Sequence, residues 1–271
     1  MPNVKTSLIL ALAVAIVAPS ARAAPPAEFD CLLVPHDEIT LGSPVPGVVE
    51  MLKVREGDFV KKGAVIARLE SSVQKADLEL ARARAESDVE IRLKTARLDY
   101  ETRRGERNRR LFEKNLLSAQ ELDDIDADRT TAELELEQAR ERQAIARLEL
   151  RRAAAIYAQR SIKSPVSGVV VERFLSPGEF IEQNRIVKIS QLDPLDVEVF
   201  LPAPLFGAVA PGMTAEVWPD EPVDGPIIAT VKRVDRVIDA ASARFGVRLE
   251  LPNRNSRIPA GLRCRARFEI E

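Results

Sequence analysis

A seven-residue motif occurs twice in this chain, as SPVPGVV from Ser43 and as SPVSGVV from Ser164. The two copies stay similar without gaps beyond the motif, and each consists of short apolar runs separated by glycine turns. A unit of this size buries too little apolar surface to fold alone. Two copies that face each other can close a small β-sandwich, so we predict one domain that is divided into two halves, residues 42–71 and 160–192.

The segment between the two halves has the composition of long helices. From Val73 to Tyr157 it contains no proline and a single glycine, Gly105, and charged residues, alanine and leucine fill most other positions. Spacings of three and four alternate over about five heptads in its second part, which predicts a coiled-coil seam. The first part has the same rhythm with one inserted step of four after Ser87, which predicts a local change of supercoil. The predicted seam positions are Val73, Ala76, Leu80, Ala83, Ser87, Ile91, Leu98, Gly105 and Phe112 in the first part, and Leu122, Ile125, Arg129, Ala132, Leu136, Ala139, Gln143, Ala146, Leu150, Ala153 and Tyr157 in the second.

A break near the middle of this segment separates two helices. Residues 115–117 interrupt the seam, and Ser118 and Glu121 form a capping-box pattern, in which each side chain bonds to the other residue's backbone N–H. One helix therefore ends at the break and the next begins at Ser118, each about 40 residues or roughly 60 Å long. Equal lengths and a short connection predict an antiparallel hairpin over residues 72–159, with its tip at about 111–118. A single continuous helix would require the break and the cap to be accidental.

The C-terminal part of the chain has a different pattern. From Leu195 onward, short strand-like runs are separated by proline, glycine and aspartate, which predicts a compact antiparallel β-barrel over residues 193–271. Aromatic residues are only 4% of the chain and charged residues 30%, which favours long helices and thin β modules over one thick globule. The predicted fold class is therefore α+β and elongated: a split β-sandwich with an inserted coiled-coil α-hairpin, followed by a small barrel.

Residues 1–23 are predicted to be a secretory signal peptide. Lys5 precedes a continuous apolar run from Leu8 to Ala18, and Ala21-Arg22-Ala23 is the small-x-small pattern that signal peptidase cleaves. The apolar run is too short to cross a hydrocarbon core of about 30 Å comfortably. The mature chain is therefore predicted to begin near Ala24 in an exported protein, and an uncleaved membrane anchor is the alternative.

Export affects how the two cysteines are interpreted. Cys31 and Cys264 lie near opposite ends of the mature chain, in short apolar segments with the pattern of strands. In an oxidising compartment such a pair can form a disulfide. In the alternative, both are buried free thiols that pack as small hydrophobic residues, and the residues alone leave both alternatives open. Two cysteines and one histidine, His36, are too few to predict a metal site.

Several function classes find no support in the sequence. The formal net charge is −2, which gives no electrostatic reason to expect nucleic acid as a partner. The chain has no glycine-rich phosphate loop, no nucleophile with a paired base and no metal-ligand spacing. We therefore predict an interaction protein without a cofactor, and not an enzyme.

The repeat and the hairpin tip together resemble a known family. The first copy contains V-x-E-G-D-x-V-K-K-G at Val54–Gly63, which is similar to the lipoyl/biotinyl-type domain of HlyD-type periplasmic adaptor proteins, also called membrane fusion proteins. Family members that dock on TolC-type outer-membrane channels carry an arginine, a leucine four residues on and a serine seven beyond that. Arg107, Leu111 and Ser118 match this pattern. The alternative is structural, because Ser118 caps its helix in any case and Leu111 can simply pack the end of the hairpin.

The resemblance implies an architecture and a set of partners. In the family, the strand before the lipoyl-like half, here residues 24–41, joins the barrel, which would bring Cys31 close to Cys264. The family's partners are a TolC-type channel, an inner-membrane transporter of the resistance–nodulation–division (RND) or ABC type, and further copies of the adaptor in a ring of six. The resemblance places such a protein in the periplasm of a Gram-negative bacterium, either free there or associated with the inner membrane.

Two departures from related patterns affect these expectations. A lipoyl or biotinyl carrier bears its cofactor on a lysine in a hairpin turn, and in this chain the helical segment replaces that turn, so a carrier function is disfavoured. A carrier would show a mass increment on a lysine. Many adaptors also carry a further membrane-proximal β domain after the barrel, and this sequence stops at Glu271. Contact with a transporter is therefore expected to come from the barrel or from an additional subunit.

Overall fold

The computed structural model describes residues 28–182 and 185–268, which divide into two compact units. One unit consists of residues 28–34, Asp196–Leu251 and residues 261–268. The other consists of Pro35–Leu195 and Pro252–Ala260. The mixed α+β fold class predicted from the sequence is confirmed. The predicted signal peptide and its cleavage site lie outside the described residues.

The described residues form three α-helices and twelve strands. The helices are α1 (Ser72–Glu86), α2 (Val89–Phe112) and α3 (Ala119–Ala158). The strands are β1 (Glu28–Gly42), β2 (Gly47–Leu52), β3 (Phe59–Val60), β4 (Val65–Leu69), β5 (Ser161–Lys163), β6 (Gly168–Arg173), β7 (Phe180–Ile181), β8 (Arg185–Pro202), β9 (Thr214–Pro219), β10 (Ile227–Val234), β11 (Arg244–Leu251) and β12 (Arg263–Phe268).

The repeated motif produces two matching halves of a β-sandwich. Strand β7 of the second copy pairs with β2 of the first, with Phe180 opposite Val48. Strand β3 of the first copy pairs with β6 of the second, with Phe59 opposite Val169. Phe180 and Phe59 are equivalent residues of the two copies, and so are Val48 and Val169, so the two pairings are equivalent. An approximate twofold axis therefore relates the two halves. Neither copy completes its own sheet, and this is the reason that the chain contains the motif twice.

Serine and glycine have specific roles in the motif. The hydroxyl of Ser43 donates to the carbonyl of Val45 at 2.5 Å, and that of Ser164 donates to the carbonyl of Val166 at 2.6 Å, which fixes the turn into each half. The backbone at Gly168 lies so close to the carbonyl oxygen of Ser190 that a Cβ atom there would collide with it. Both copies of the motif therefore encode a turn, and in the second copy a close backbone approach follows it.

The sandwich encloses a continuous aliphatic core. Its side chains come from both copies of the repeat, and most of them have no solvent-accessible surface. Complete burial of such side chains is the main favourable contribution to folding in a domain of this size. The buried residues are Val49, Val54, Val60, Ile66, Ala67, Leu69, Ile162, Val170, Leu175, Ile181, Ile186, Val187 and Ile189.

The inserted segment forms the predicted helical hairpin, in which α3 packs against both α1 and α2. Ten of the eleven seam positions predicted for α3 are buried or half-buried. The exception is Arg129, which is exposed, because burying an unpaired guanidinium is costly and a long side chain can reach water from the seam. The positions that agree are Leu122, Ile125, Ala132, Leu136, Ala139, Gln143, Ala146, Leu150, Ala153 and Tyr157.

The seam predicted for the first helical part is wrong in α1. Val73 and Leu80 are exposed there, whereas Leu78 and Ala81 are half-buried and Ala85 is buried. The seam of α1 is therefore shifted by about one residue, which rotates the helix by roughly 100° relative to the prediction. In α2 the predicted seam is correct from Ile91 to Gly105 and wrong at Phe112, which is exposed.

An interruption between α1 and α2 causes this shift. Ser87 has extended backbone angles (φ −68°, ψ 120°), and helix α2 starts only after Asp88. The carbonyl of Ser87, which has left the helical hydrogen-bond pattern, accepts from the side-chain amide of Gln143 on α3 at 3.2 Å. The inserted step of four after Ser87 thus marks a break in the helix and not only a change of supercoil.

A buried carboxylate occupies the α2 side of the seam. Glu101 has no solvent-accessible surface, and its carboxylate lies 2.6 Å from the guanidinium of Arg97 and 3.1 Å from that of Arg104. Arg104 continues the network to Asp128 on α3 at 2.8 Å, and these two acids raise the pKa of Arg104. The network links the two helices of the hairpin at one level, and the heptad pattern did not predict a charge there.

The unit that contains Asp196–Leu251 holds the predicted β-barrel strands. They follow the order β1-β12-β9-β10-β11-β8, and a further pairing between β1 and β8 joins the two ends. Alternating residues point inward, so that Phe245, Leu249 and Leu251 of β11 are buried. Closing the sheet on itself removes its free edges, which is how small all-β units avoid edge-to-edge association.

The two cysteines lie opposite each other in this unit. Strand β1 pairs antiparallel with β12, with Cys31 facing Cys264. The sulfur atoms are 2.13 Å apart and the Cα atoms 4.8 Å apart, so the pair forms a disulfide between the first and the last described strands. A crosslink between residues so distant in the sequence strongly restricts the unfolded chain.

Candidate functional site

The tip of the hairpin begins with a specific helix C-cap. Asn115 has a left-handed backbone (φ 56°), a conformation that asparagine tolerates better than most residues do. Its N–H donates to the carbonyl of Phe112 at 2.8 Å, and the N–H of Leu116 donates to the carbonyl of Leu111 at 3.0 Å. These two bonds form a Schellman motif, which ends α2 and reverses the chain.

The predicted capping box at the start of α3 is confirmed. The hydroxyl oxygen of Ser118 accepts from the N–H of Glu121 at 3.2 Å, and the carboxylate of Glu121 accepts from the N–H of Ser118 at 3.0 Å. The Ser118 hydroxyl also donates to this carboxylate at 2.7 Å. The bond from the Ser118 backbone, followed by the one from its hydroxyl, lowers the pKa of Glu121 below its ordinary value of 4.5.

This cap limits what Ser118 can offer to a partner. A serine hydroxyl has one donor proton and two acceptor lone pairs. The proton and one lone pair are used within the cap, so the Ser118 hydroxyl oxygen can accept one further hydrogen bond from a partner. The side chain is exposed, and a donor from a partner can therefore reach it without breaking the cap.

The arginines near the tip fall into two groups. Arg104 pairs with Asp128 at 2.8 Å and Arg109 pairs with Asp126 at 3.0 Å, so both bind the opposite helix. Arg103, Arg107 and Arg110 are exposed, and no carboxylate of the described residues lies within ion-pair distance of their guanidinium groups. The sequence RRGERNRR therefore contains internal cross-links as well as cations that are available to a partner, and Arg107 is the one of these that matches the family pattern.

Apolar side chains also face solvent at the tip. Leu111 is 40% exposed, and the neighbouring Phe112 is exposed to a similar degree. Leu116 is 70% exposed, although it lies between two helix caps that fix its backbone. Sequence reasoning missed Leu116, and the available signal was a leucine in the short break between two capping motifs.

The structure brings the three predicted site residues to the same end of the hairpin. Arg107 lies one turn before Leu111, which is in the last turn of α2, and Ser118 is the N-cap of α3. No hydrogen bond or ion pair between described residues joins the three. They form a presented surface and not an internally bonded cluster.

The outer side of α2 carries a second exposed apolar surface. Val89, Leu93 and Tyr100 recur at helical spacing, and all three are exposed. They lie roughly half a turn from the seam positions Ile91 and Leu98, so they point away from α3. We call these three residues the α2 edge.

Helix α3 has a matching surface. Leu134, Ile145 and Leu148 are exposed and lie roughly half a turn from the buried seam residues Leu136 and Ala139. They point away from α1 and α2, against which α3 packs, and we call them the α3 edge. The hairpin therefore presents apolar side chains on two opposite sides, in addition to its buried seam.

Two general properties of the described part of the chain complete the description. None of its helices combines the length and the apolar character that crossing a bilayer requires. Within residues 28–182 and 185–268, no group of three or more His, Cys, Asp or Glu side chains is arranged to hold a metal ion.

Comparison with known proteins identifies the domain and the fold. Residues 38–191 match the family described as CzcB-like, barrel-sandwich hybrid domain, which is more than half of the chain. A UPF0194 membrane protein from Yersinia pseudotuberculosis serotype O:3 is 25% identical over 233 residues, which cover 70% of this chain and 71% of that protein.

Solved structures share the same architecture. MacA from Actinobacillus actinomycetemcomitans superposes with a TM-score of 0.73 at 18% identity, over 90% of this chain and 78% of that one. The membrane fusion protein Spr0693 from Streptococcus pneumoniae R6 has a TM-score of 0.60 at 14% identity, over 90% of this chain and 99% of that one. The chain belongs to the CzcB-like barrel-sandwich hybrid family, among the periplasmic adaptor or membrane fusion proteins that its sequence resembles.

Proposed function

We propose that this protein is a periplasmic adaptor subunit. It links an inner-membrane transporter, of the RND or the ABC type, to a TolC-type outer-membrane channel for efflux or secretion. It is exported to the periplasm of a Gram-negative bacterium and acts by assembling and sealing a conduit, without bond chemistry of its own. Arg107, Leu111 and Ser118 dock on the channel.

The observation that carries this proposal is the construction of the hairpin tip. A Schellman motif and a capping box fix the backbone on both sides of the turn, and apolar side chains nevertheless remain exposed between and beside them. A rigid surface loses little conformational entropy when it binds, so more of its interaction energy appears as affinity. Leu111 and Leu116 supply apolar area, Arg107 supplies an unpaired cation and Ser118 supplies an acceptor.

The two apolar edges of the hairpin support assembly of copies side by side. A contact between the α2 edge of one copy and the α3 edge of the next uses two different surfaces of the same chain. Such a head-to-tail contact closes into a ring when the rotation between copies is suitable. A ring of six such hairpins, as the family resemblance implies, would bury both edges and form a tube that continues to the docking tips.

Replacing Leu111 with Asp tests the docking function. The side chain is partly exposed and lies outside the buried seam, so unfolding of the purified protein is expected to change little. A carboxylate in an apolar contact with the channel would be costly to desolvate, and transport is expected to be lost. Transport is measured as resistance of the native host to the compounds that inhibit a strain lacking the gene.

Leu111→Met is the matched control, because it keeps an apolar side chain of similar volume. It is expected to retain transport. If Leu111→Asp transported normally, the docking role would be refuted. If it instead lowered the unfolding temperature as strongly as a substitution in the seam, Leu111 would be a structural residue.

A further inference from the structure

The two copies of the repeat expose the same aromatic residue. Phe59 on β3 is 57% exposed and Phe180 on β7 is 59% exposed. Each lies on a two-residue strand at the edge of one of the two sheets, since β3 ends the eight-stranded sheet and β7 ends the four-stranded sheet. An exposed phenylalanine contributes nothing to the core of its own sandwich, and this chain keeps one at both equivalent positions.

Each phenylalanine has a further exposed apolar neighbour. Phe180 pairs directly with Val48, which is exposed. Phe59 pairs with the half-buried Val169, and Val171, which lies at a bulge two residues further along β6, is exposed. The sandwich therefore carries two separate apolar patches that its approximate twofold axis relates to each other.

The charges beside the two patches are opposite. Lys61 and Lys62 follow Phe59 and are exposed. At the position equivalent to Lys61, the second copy has the exposed Glu182. Among the described residues none of these three side chains takes part in an ion pair, so their charges are available.

The acidic residue before each phenylalanine does not cancel this difference. Asp58 accepts from the N–H of Arg55 at 2.7 Å, and Glu179 accepts from the N–H of Ser176 at 3.2 Å. Both carboxylates serve their own turns, and both copies have them. The copies thus share an apolar residue and a turn, and they differ in the sign of the charge that follows.

We propose that these two patches bind each other between neighbouring copies of this chain. The Phe59 patch (Phe59, Val171, Lys61 and Lys62) of one copy packs on the Phe180 patch (Phe180, Val48 and Glu182) of the next. This inference rests on the proposed ring and adds a contact within it that is separate from the hairpin edges.

Charge complementarity selects this pairing over the symmetric ones. Two Phe59 patches in contact would place lysines against lysines, and two Phe180 patches would place Glu182 against itself. Like charges at an interface are strongly unfavourable, whereas opposite charges fix the register of the contact. Only the contact between a Phe59 patch and a Phe180 patch buries both phenylalanines with opposite charges facing each other. It leaves one patch free on each copy, and that patch can bind the next neighbour.

A charge exchange in the full chain tests the contact. Lys61→Glu and Glu182→Lys are each expected to weaken self-association by about tenfold or more, and the double variant is expected to recover it. Self-association is measured by sedimentation of the purified protein. Lys163→Glu is the matched control, since Lys163 is an exposed lysine on β5, at the opposite edge of the sheet that β7 ends. All four proteins are expected to unfold at nearly the same temperature.

Engineered cysteines then determine the direction of the contact. A chain with both Lys61→Cys and Glu182→Cys is expected to form a ladder of disulfide-linked oligomers in the periplasm, while each single variant stays monomeric on non-reducing gels. Dimers of a single variant would indicate a symmetric contact and would overturn the proposal. If the charge reversals had no effect on self-association while a chemical crosslinker still joined the copies into rings, this contact would be overturned and the proposed ring would stand. A wild-type protein that forms no oligomer at all would overturn both.

Discussion

The β-sandwich and the helical hairpin belong to the same unit of the chain, but they are stabilised in different ways. The sandwich encloses aliphatic side chains from two copies of one motif, and most of these have no exposed surface. The hairpin buries a single narrow seam that includes a charged residue, Glu101. Its shape is set by two caps and by ion pairs between its helices, such as Arg109 with Asp126.

This difference separates the part of the molecule that buries its apolar side chains in a core from the part that exposes them to partners. The sandwich uses nearly all of its large apolar side chains internally, apart from the few around Phe59 and Phe180. The hairpin leaves apolar side chains on both edges and at the tip, where they are available to partners. A region whose geometry depends on caps and ion pairs can expose apolar surface without losing its shape, and this combination is typical of an assembly element.

The largest expected effect distinguishes the seam from the edge within α3. Leu136 is buried in the seam, so Leu136→Ala is expected to destabilise the hairpin by about 2–5 kcal/mol. Leu134 lies on the α3 edge, and Leu134→Ala is expected to change stability by less than about 0.5 kcal/mol. Thermal unfolding followed by circular dichroism at a helix-sensitive wavelength measures both. Equal losses would mean that the edge is part of the fold.

The second prediction compares equivalent glycines in the two copies of the motif. A Cβ atom at Gly168 would meet the backbone carbonyl of Ser190, which cannot move away, so Gly168→Ala is expected to cost about 1–3 kcal/mol. At Gly47 the nearest atom is the end of the Arg160 side chain at 2.7 Å, which can rotate aside. Gly47→Ala is therefore expected to cost less than about 1 kcal/mol. Chemical denaturation of the two variants measures the difference, and the reverse order would contradict the proposed cause.

The third prediction concerns the buried charge in the seam. Glu101→Gln keeps the shape but removes the charge that faces Arg97 and Arg104, and it is expected to cost about 1–2 kcal/mol. The loss stays moderate because both arginines can reach water. Glu101→Leu is expected to be neutral or stabilising, since replacing a buried ion with an apolar side chain removes its desolvation penalty. If Leu destabilised the hairpin more than Gln, the carboxylate would be a net source of stability. Thermal melts of the three proteins decide this.

The smallest expected effect is a pH dependence at the tip. Hydrogen bonds from Ser118 lower the pKa of Glu121 below 4.5. The folded state therefore favours the ionised form, so this stabilisation is fully present above pH 4.5 and is lost as the pH falls below that value. Amide hydrogen exchange in the first turn of α3 is expected to accelerate in this range relative to the middle of the helix. Glu121→Gln removes the titrating group, and an unchanged pH profile in that variant would refute the assignment.

The features that sequence patterns predicted correctly are those that neighbouring residues determine. The capping box at Ser118 and Glu121 depends on residues three apart, and the α3 seam depends on one uninterrupted helical period. The repeat predicted a split sandwich because two similar copies can only complete each other. The family resemblance then supplied the fold of the whole chain.

The features that were missed depend on tertiary contacts or on an interruption of the helical periodicity. The seam of α1 was placed wrongly because a helical period cannot be extended across the break at Ser87. Glu101 was missed because its burial depends on arginines that compensate its charge in three dimensions. Leu116 was missed because the same pattern is compatible with a buried or an exposed leucine until the structure of the turn is known.

Crosslinking from the hairpin tip tests the central claim most directly. A photoreactive amino acid replaces Ala119, the exposed first residue of α3, in cells that carry the native operon. The adaptor function predicts a crosslink to an outer-membrane channel, and this crosslink should disappear when Leu111→Asp is added. Crosslinks only within the protein, or only to soluble periplasmic proteins, would contradict docking at the tip and make Arg107, Leu111 and Ser118 structural residues of the hairpin.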